Sequence, residues 1–175
     1  MSQPQSEEER VRSYLIAQAA KLPLPELIEK VRNDTLPLKA AASIVPLSRF
    51  TERPGEGDWS AAEVWTHILE MNEHGAAAIP AIIARGEIPP RADDVISGQV
   101  RAGLSTGTDY YAAYLSRREG LLAAVSEARG DEHLDVHIHH SMFGDLNWRE
   151  WLLFMRVHDL DHLRQLQSIA AAFNS

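Results

Sequence analysis

The sequence predicts an all-α protein: an antiparallel four-helix bundle with a kinked first helical region and a longer connector before the last helix. Three observations predict it. Apolar residues recur at steps of three and four along four stretches, two of these stretches open on capping-box residues, and the breaks carry Gly and Pro with no sustained two-residue alternation. A length of 175 residues suits a single domain over 1–175, whose core is large enough to fold without disulfides or a structural metal. Residues 1–23 are read as an N-terminal extension that is partly helical.

The first helical region runs from about Ser6 to Val45 and is broken by Pro23, Pro25 and Pro37. Each proline removes an amide donor and crowds the preceding turn, so two or three pieces are expected. Ser48 to Gly57 holds Pro54, Gly55 and Gly57 and reads as a loop. The second helix starts at Ser60, where Ser60 and Glu63 each satisfy an orphan N–H of the first turn and Trp59 staples onto Val64. Its inward stripe is Val64, His67, Ile68, Met71, His74, Gly75, Ala78 and Ile82. Pro80 is expected to kink its last turns, and Arg85-Gly86 ends it.

A loop with Gly98, Gly103 and Gly107 leads to a third helix from near Thr108 to about Ala128. Its stripe is Tyr111, Tyr114, Leu115, Leu121, Leu122 and Val125, with Arg118 placed at the edge. The connector from Gly130 to Leu146 carries four histidines, and Leu134 to Ile138 alternates briefly, as a short extended piece does. Asn147 and Glu150 then repeat the capping logic for the fourth helix, with Leu146 stapled onto Trp151.

Composition removes several classes of function. The net charge is −8, from 17 Lys and Arg against 25 Asp and Glu, and the basic residues are scattered, which argues against nucleic acid as a partner. With no cysteine there is no thiolate metal site, disulfide or cysteine nucleophile. The first ten residues are polar and acidic, unlike a signal peptide, and no apolar run approaches membrane-spanning length. A cytoplasmic protein without a membrane partner is expected.

The fourth helix has one stripe of Trp151, Met155, His158, His162, Leu166, Ile169 and Phe173. Both histidines therefore face the core. Residues four apart differ by about 40° around a helix and about 6 Å along it, so the two imidazoles can close on one ion. His67 occupies the equivalent stripe of the second helix. Several imidazoles buried together are hard to satisfy by hydrogen bonds, and a shared cation takes one lone pair from each. Three neutral nitrogens leave positions open for water or substrate, as in a Lewis-acid site. The segment is not a zincin motif, because Asp159 stands where that motif has glutamate and is turned about 100° from the histidine stripe. Nor does the chain supply the inward glutamates of a di-iron carboxylate bundle.

Asp58-Trp59-Ser60 with Glu63, Val64, Trp65 and His67, the run Phe143-Gly144 to Trp151, and His158-Asp159-Leu160-Asp161-His162 followed by Gln165 together resemble the DinB-like superfamily. That superfamily comprises four-helix-bundle proteins related to metal-dependent hydrolases and thiol transferases. The resemblance spans about Leu24 to Phe173. It implies His67, His158 and His162 as ligands of a divalent transition metal, zinc, nickel or iron, with water completing the shell. It further implies an enzyme that activates water or a low-molecular-weight thiol against a small-molecule substrate, and a homodimer. The alternative is a non-enzymatic bundle, metal-dependent in ligand binding or in a stress response.

Other polar residues carry two readings each. Glu70, one turn after His67, is either a general base or a solvated glutamate. His74 is either a pocket contact or a satisfied core histidine. Asp161 and Gln165 sit where they can hold an imidazole N–H, although Asp161 can equally pair with Arg164 or Arg156 at the surface. His140 lies before Phe143-Gly144, where the family often has a His-Pro pair and this chain has Ser141. With His137 and His139 it forms a connector group that is either metal-binding or simply solvated, and the alternation places His137 and His139 on one side.

Overall fold

The computed structural model describes residues 6–90 and 100–174. Met1 to Gln5 and Gly98, both read above, lie outside the described residues. The protein is mostly helical with one small two-stranded ribbon. Helix α1, Glu7–Lys21, opens on a capping box between Ser6 and Glu9 and carries Glu7, Glu8 and Glu9 where the free amide ends favour negative charge. It stops because Leu22 precedes proline and takes extended angles, φ −78° and ψ 129°, that clear the ring. Helix α2, Leu24–Asp34, keeps Pro25 in its first turn, where no amide donor is needed. The single turn α3, Leu38–Ala41, follows Pro37. The proline-broken region is thus three pieces, and α1 buries Leu15 and Ala19 against the core.

The long helices are α4, Ala61–Arg85, α5, Gly107–Ser126, and α6, Trp148–Phe173. Each starts at a complete capping box: Ser60 with Glu63, Thr106 with Asp109, and Asn147 with Glu150. Helix α4 continues through Pro80 and ends at Gly86, whose φ of 65° is the left-handed cap that glycine adopts without strain.

Helices α4 and α6 are antiparallel, since His67 faces His162, Asn72 meets Asp159 and His74 meets Trp151. Helices α4 and α5 are not. Thr66 bonds Tyr110 and Glu73 pairs with Arg117, so these two run in the same direction, which corrects the expectation of antiparallel packing throughout. The length of the connection 86–106 permits this. A chain advances up to about 3.3 Å per residue when extended and a helix only about 1.5 Å, so this segment is long enough to return along the whole of α4.

The extended piece expected at Leu134 to Ile138 lies further on. Strand β1, Ile138–His140, pairs antiparallel with β2, Gly144–Leu146, placing Ile138 opposite Leu146 and His140 opposite Gly144. A strand needs a partner ladder, and the alternation that counts is the one that buries Ile138 beside Leu146.

The apolar core falls into two clusters. One joins α1, α2, the ribbon, the far half of α4, Leu121 to Val125 of α5 and Trp148 to Met155 of α6. The other joins α3, residues 61–69 of α4, Tyr110 and Tyr114 of α5, and Leu163 to Ala170 of α6. Between them runs a buried polar layer of Asn72, Arg118 and Asp159. Arg118 is only 2% exposed, which corrects its expected place at the edge of the third helix. Among the described residues no helix is long and apolar enough to cross a membrane.

Candidate metal centre

His67 stands two turns into α4, and its position follows from the Ser60 cap that fixes where that helix begins. His158 and His162 stand one turn apart on α6. The three side chains converge, with one ligand atom from each lying within 4.8 Å of the others. His67 Nε2 and His158 Nε2 are 2.9 Å apart. The ring centroids of His67 lie 4.7 Å from His158 and 4.8 Å from His162, and the last two are 4.4 Å apart.

The outer nitrogens are held from behind. His162 Nδ1 donates to Gln165 Oε1 at 2.7 Å, and His158 Nδ1 faces Asp159 Oδ1 at 3.4 Å. An acceptor behind Nδ1 favours the tautomer that carries its proton there and keeps the lone pair on Nε2. Burial pushes His67 down to about 3, with His158 and His162 acting in the same direction. His162 is lowered as well, first by burial and then by His158. These two imidazoles are therefore neutral near pH 7, the form that binds metal.

The residues fit a divalent transition metal. Three nitrogens about 2.0–2.1 Å from one ion stand roughly 3–3.5 Å apart, close to the 2.9 Å between His67 and His158. An all-imidazole donor set suits zinc, nickel or iron and not calcium or magnesium, which take oxygen. Aromatic rings wall the group. Trp59 meets His67 edge-on at 5.3 Å and stacks on His162 at 6.4 Å, while Phe154 lies 5.8 Å from His158.

The remaining candidates separate. Gln165 anchors His162, whereas Asp161 is 75% exposed and pairs with Arg164 at 3.7 Å, the surface arrangement. Glu70 is half-buried on α4 beyond His67, and its charge reaches Arg101. His74 packs edge-on against Trp151 at 5.5 Å. His140 accepts the amides of Met142 and Phe143 on Nδ1 and packs against Phe143, Phe154 and Trp151, so it belongs to the aromatic wall that ends at His158. His137 and His139 are exposed, His137 donating to the Asp135 carbonyl and His139 pairing with Asp145. They take no part in the cluster.

Sequence reasoning missed Asp159 and its partners. Asp159 accepts from Asn72 at 3.1 Å, from the Tyr114 hydroxyl at 2.9 Å and from Arg118 Nη2. Burial, and then the Asp159 charge, raises Tyr114 well above the ordinary tyrosine range, so its hydroxyl stays a donor. The signal was available: an arginine between Tyr114 and Leu121 on an apolar stripe needs a buried anion. Trp59, read only as a staple, also covers the histidines.

A family model described as the DinB superfamily matches residues 27–166. No curated protein and no solved structure matches the chain.

Proposed function

The chain belongs to the DinB superfamily, and from that premise we propose that it is a divalent-metal-dependent enzyme acting on a small electrophilic substrate. The observation that carries this reading is the convergence of His67, His158 and His162, three imidazoles from two helices. These are the proposed ligands, and zinc, nickel or iron the proposed ion. When bound, such an ion supplies Lewis-acid chemistry, lowering the pKa of water or a small thiol and polarising a carbonyl. The reaction class is accordingly hydrolysis or thiol transfer.

The chain's own groups have separate tasks. Gln165 holds the His162 ring by its Nδ1–H, so the nitrogen facing the cluster is always a lone-pair donor. Trp59 and Phe154 limit water access and shape the space where a small substrate sits. Glu70, one turn beyond His67, is the proposed proton acceptor for the nucleophile. Helices α4, α5 and α6 with the segmented α1–α3 region form the proposed four-helix bundle. The protein is further proposed to act in the cytoplasm as a homodimer, with a low-molecular-weight thiol as one candidate substrate.

The test uses protein purified without a histidine tag. Elemental analysis should find a transition metal near one per chain, and thiol-transfer and hydrolase panels should give activity that follows metal content and disappears on chelation. His158→Ala should lose both metal and activity while keeping its helical circular dichroism. Metal retained at full stoichiometry in that variant would overturn the ligand assignment; a loaded but inert parent would favour a non-enzymatic ligand-binding role.

A further inference from the structure

Asp159 has none of its side chain exposed, and groups from three helices fill its two oxygens. Oδ1 accepts from Asn72 of α4 and faces His158 Nδ1 of α6, while Oδ2 accepts from Tyr114 and Arg118 of α5. A carboxylate held on so many sides cannot rotate away from the imidazole. Stability alone is a poor reason for this construction. Desolvation offsets most of the attraction within a buried ion pair, and apolar residues commonly replace such a pair without loss. Here Arg118 also leaves Nε and Nη1 without a hydrogen-bond partner, so the pair is not fully satisfied.

What the arrangement does supply is a fixed, directional acceptor beside one histidine. A neutral imidazole has a single N–H and a carboxylate only accepts, so the proton resides on His158 Nδ1 and the Nε2 lone pair points to His67 and His162. We propose that Asp159, clamped by Arg118, Tyr114 and Asn72, is a positioning residue for the metal centre: it sets the tautomer and ring orientation of His158 and strengthens Nε2 as a metal donor. This rests on the reading of the three histidines as a metal site. Through the clamp, α5, which contributes no histidine to the cluster, still bears on how the cluster binds.

The experiment measures zinc affinity by chelator competition and the visible spectrum of the cobalt-substituted protein. The parent is compared with Asp159→Leu/Arg118→Met, which removes both charges together, and with Asp159→Asn/Arg118→Met, which keeps a neutral acceptor beside Nδ1. Zinc affinity should fall about ten- to a hundredfold in the first, with a changed cobalt spectrum, and recover in part in the second. An affinity within about threefold of the parent and an unchanged spectrum in the first would overturn the proposal. Where the variants do not fold, the zinc-loaded parent decides: long-range proton–nitrogen correlation on histidine-labelled protein should show His158 protonated at Nδ1 and coordinated through Nε2. Coordination through Nδ1 overturns the proposal and leaves the metal site standing, whereas a parent that binds no metal overturns both.

Discussion

At the scale of single residues, the ligand set and its supports differ in what they ask of a side chain. A ligand must be neutral and converge on one point, which burial and helix register provide for His67 and His162. A support must only accept a proton from behind. Gln165→Ala should therefore weaken zinc binding about tenfold without abolishing it, because His162 keeps its place on α6 and loses only the acceptor that fixes its ring. Chelator competition measures this, and an affinity equal to the parent's would show that the Gln165 contact is incidental. The ligand histidines were legible in the sequence because spacing alone puts His158 and His162 on one apolar stripe. Asp159 was not. It lies off that stripe, and its burial depends on Arg118 and Tyr114, which arrive from a helix more than forty positions earlier in the chain. A helical period reports which residues share a face of one helix and carries no information about which partner another helix brings to it.

At the scale of elements, caps and close approaches set where each helix starts and how near it comes to its neighbours. Ser60 is 2% exposed and exchanges both bonds of its capping box with Glu63, so Ser60→Ala should cost about 1 kcal/mol of stability. Because His67 is fixed by the same helix start, metal affinity should fall along with the unfolding midpoint in urea. A variant as stable as the parent would show that this cap adds nothing. At the start of α5 a Cβ on Gly107 would stand 2.2 Å from the Ala42 carbonyl oxygen, a backbone atom that cannot turn aside. Gly107→Ala should therefore destabilise by about 1–3 kcal/mol although alanine is the better helix former. A neutral or stabilising result would mean that α5 and the end of α3 separate freely. Helix starts at Ser60 and Asn147 and the breaks at Pro23 and Pro37 could be read from the chain, since caps and prolines act locally, whereas Pro25 breaks nothing because it falls in the first turn of α2. The parallel course of α4 and α5 could not, because direction across a long connection is decided by packing on both sides of it. For the same reason the strand appeared at Ile138–His140, where Gly144–Leu146 supplies a ladder, and not at the stretch with the better alternation.

At the scale of the whole molecule, two apolar clusters meet at the Asp159 network, which His158 adjoins, so the charge state of these groups acts on the stability of the entire fold. In the metal-free protein His67 is pushed from its ordinary 6.5 down to about 3 when folded. Above pH 6.5 neither state binds the proton and the group contributes no dependence on pH. Between 6.5 and about 3 the unfolded chain takes up a proton that the folded chain does not, so stability falls as pH falls; below about 3 both states are protonated and the slope ends. His162, lowered in the same direction, adds to the slope below its ordinary value. The melting temperature of the metal-free parent should accordingly drop between pH 7.5 and 5.5, and drop less in His67→Gln, which has no proton to gain in this window. A divalent ion that binds only the folded state raises stability by mass action, about 2.7 kcal/mol at a hundred times its Kd. Protons compete for the same nitrogens only as the pH nears the folded-state value, about 3 for His67, so that increment should hold from pH 7.5 to 5.5 and shrink towards that value. Thermal unfolding followed by circular dichroism, with and without zinc at each pH, separates the two effects: a metal increment undiminished near pH 3, where His67 takes up its proton, would mean that the ion is held somewhere other than on these imidazoles.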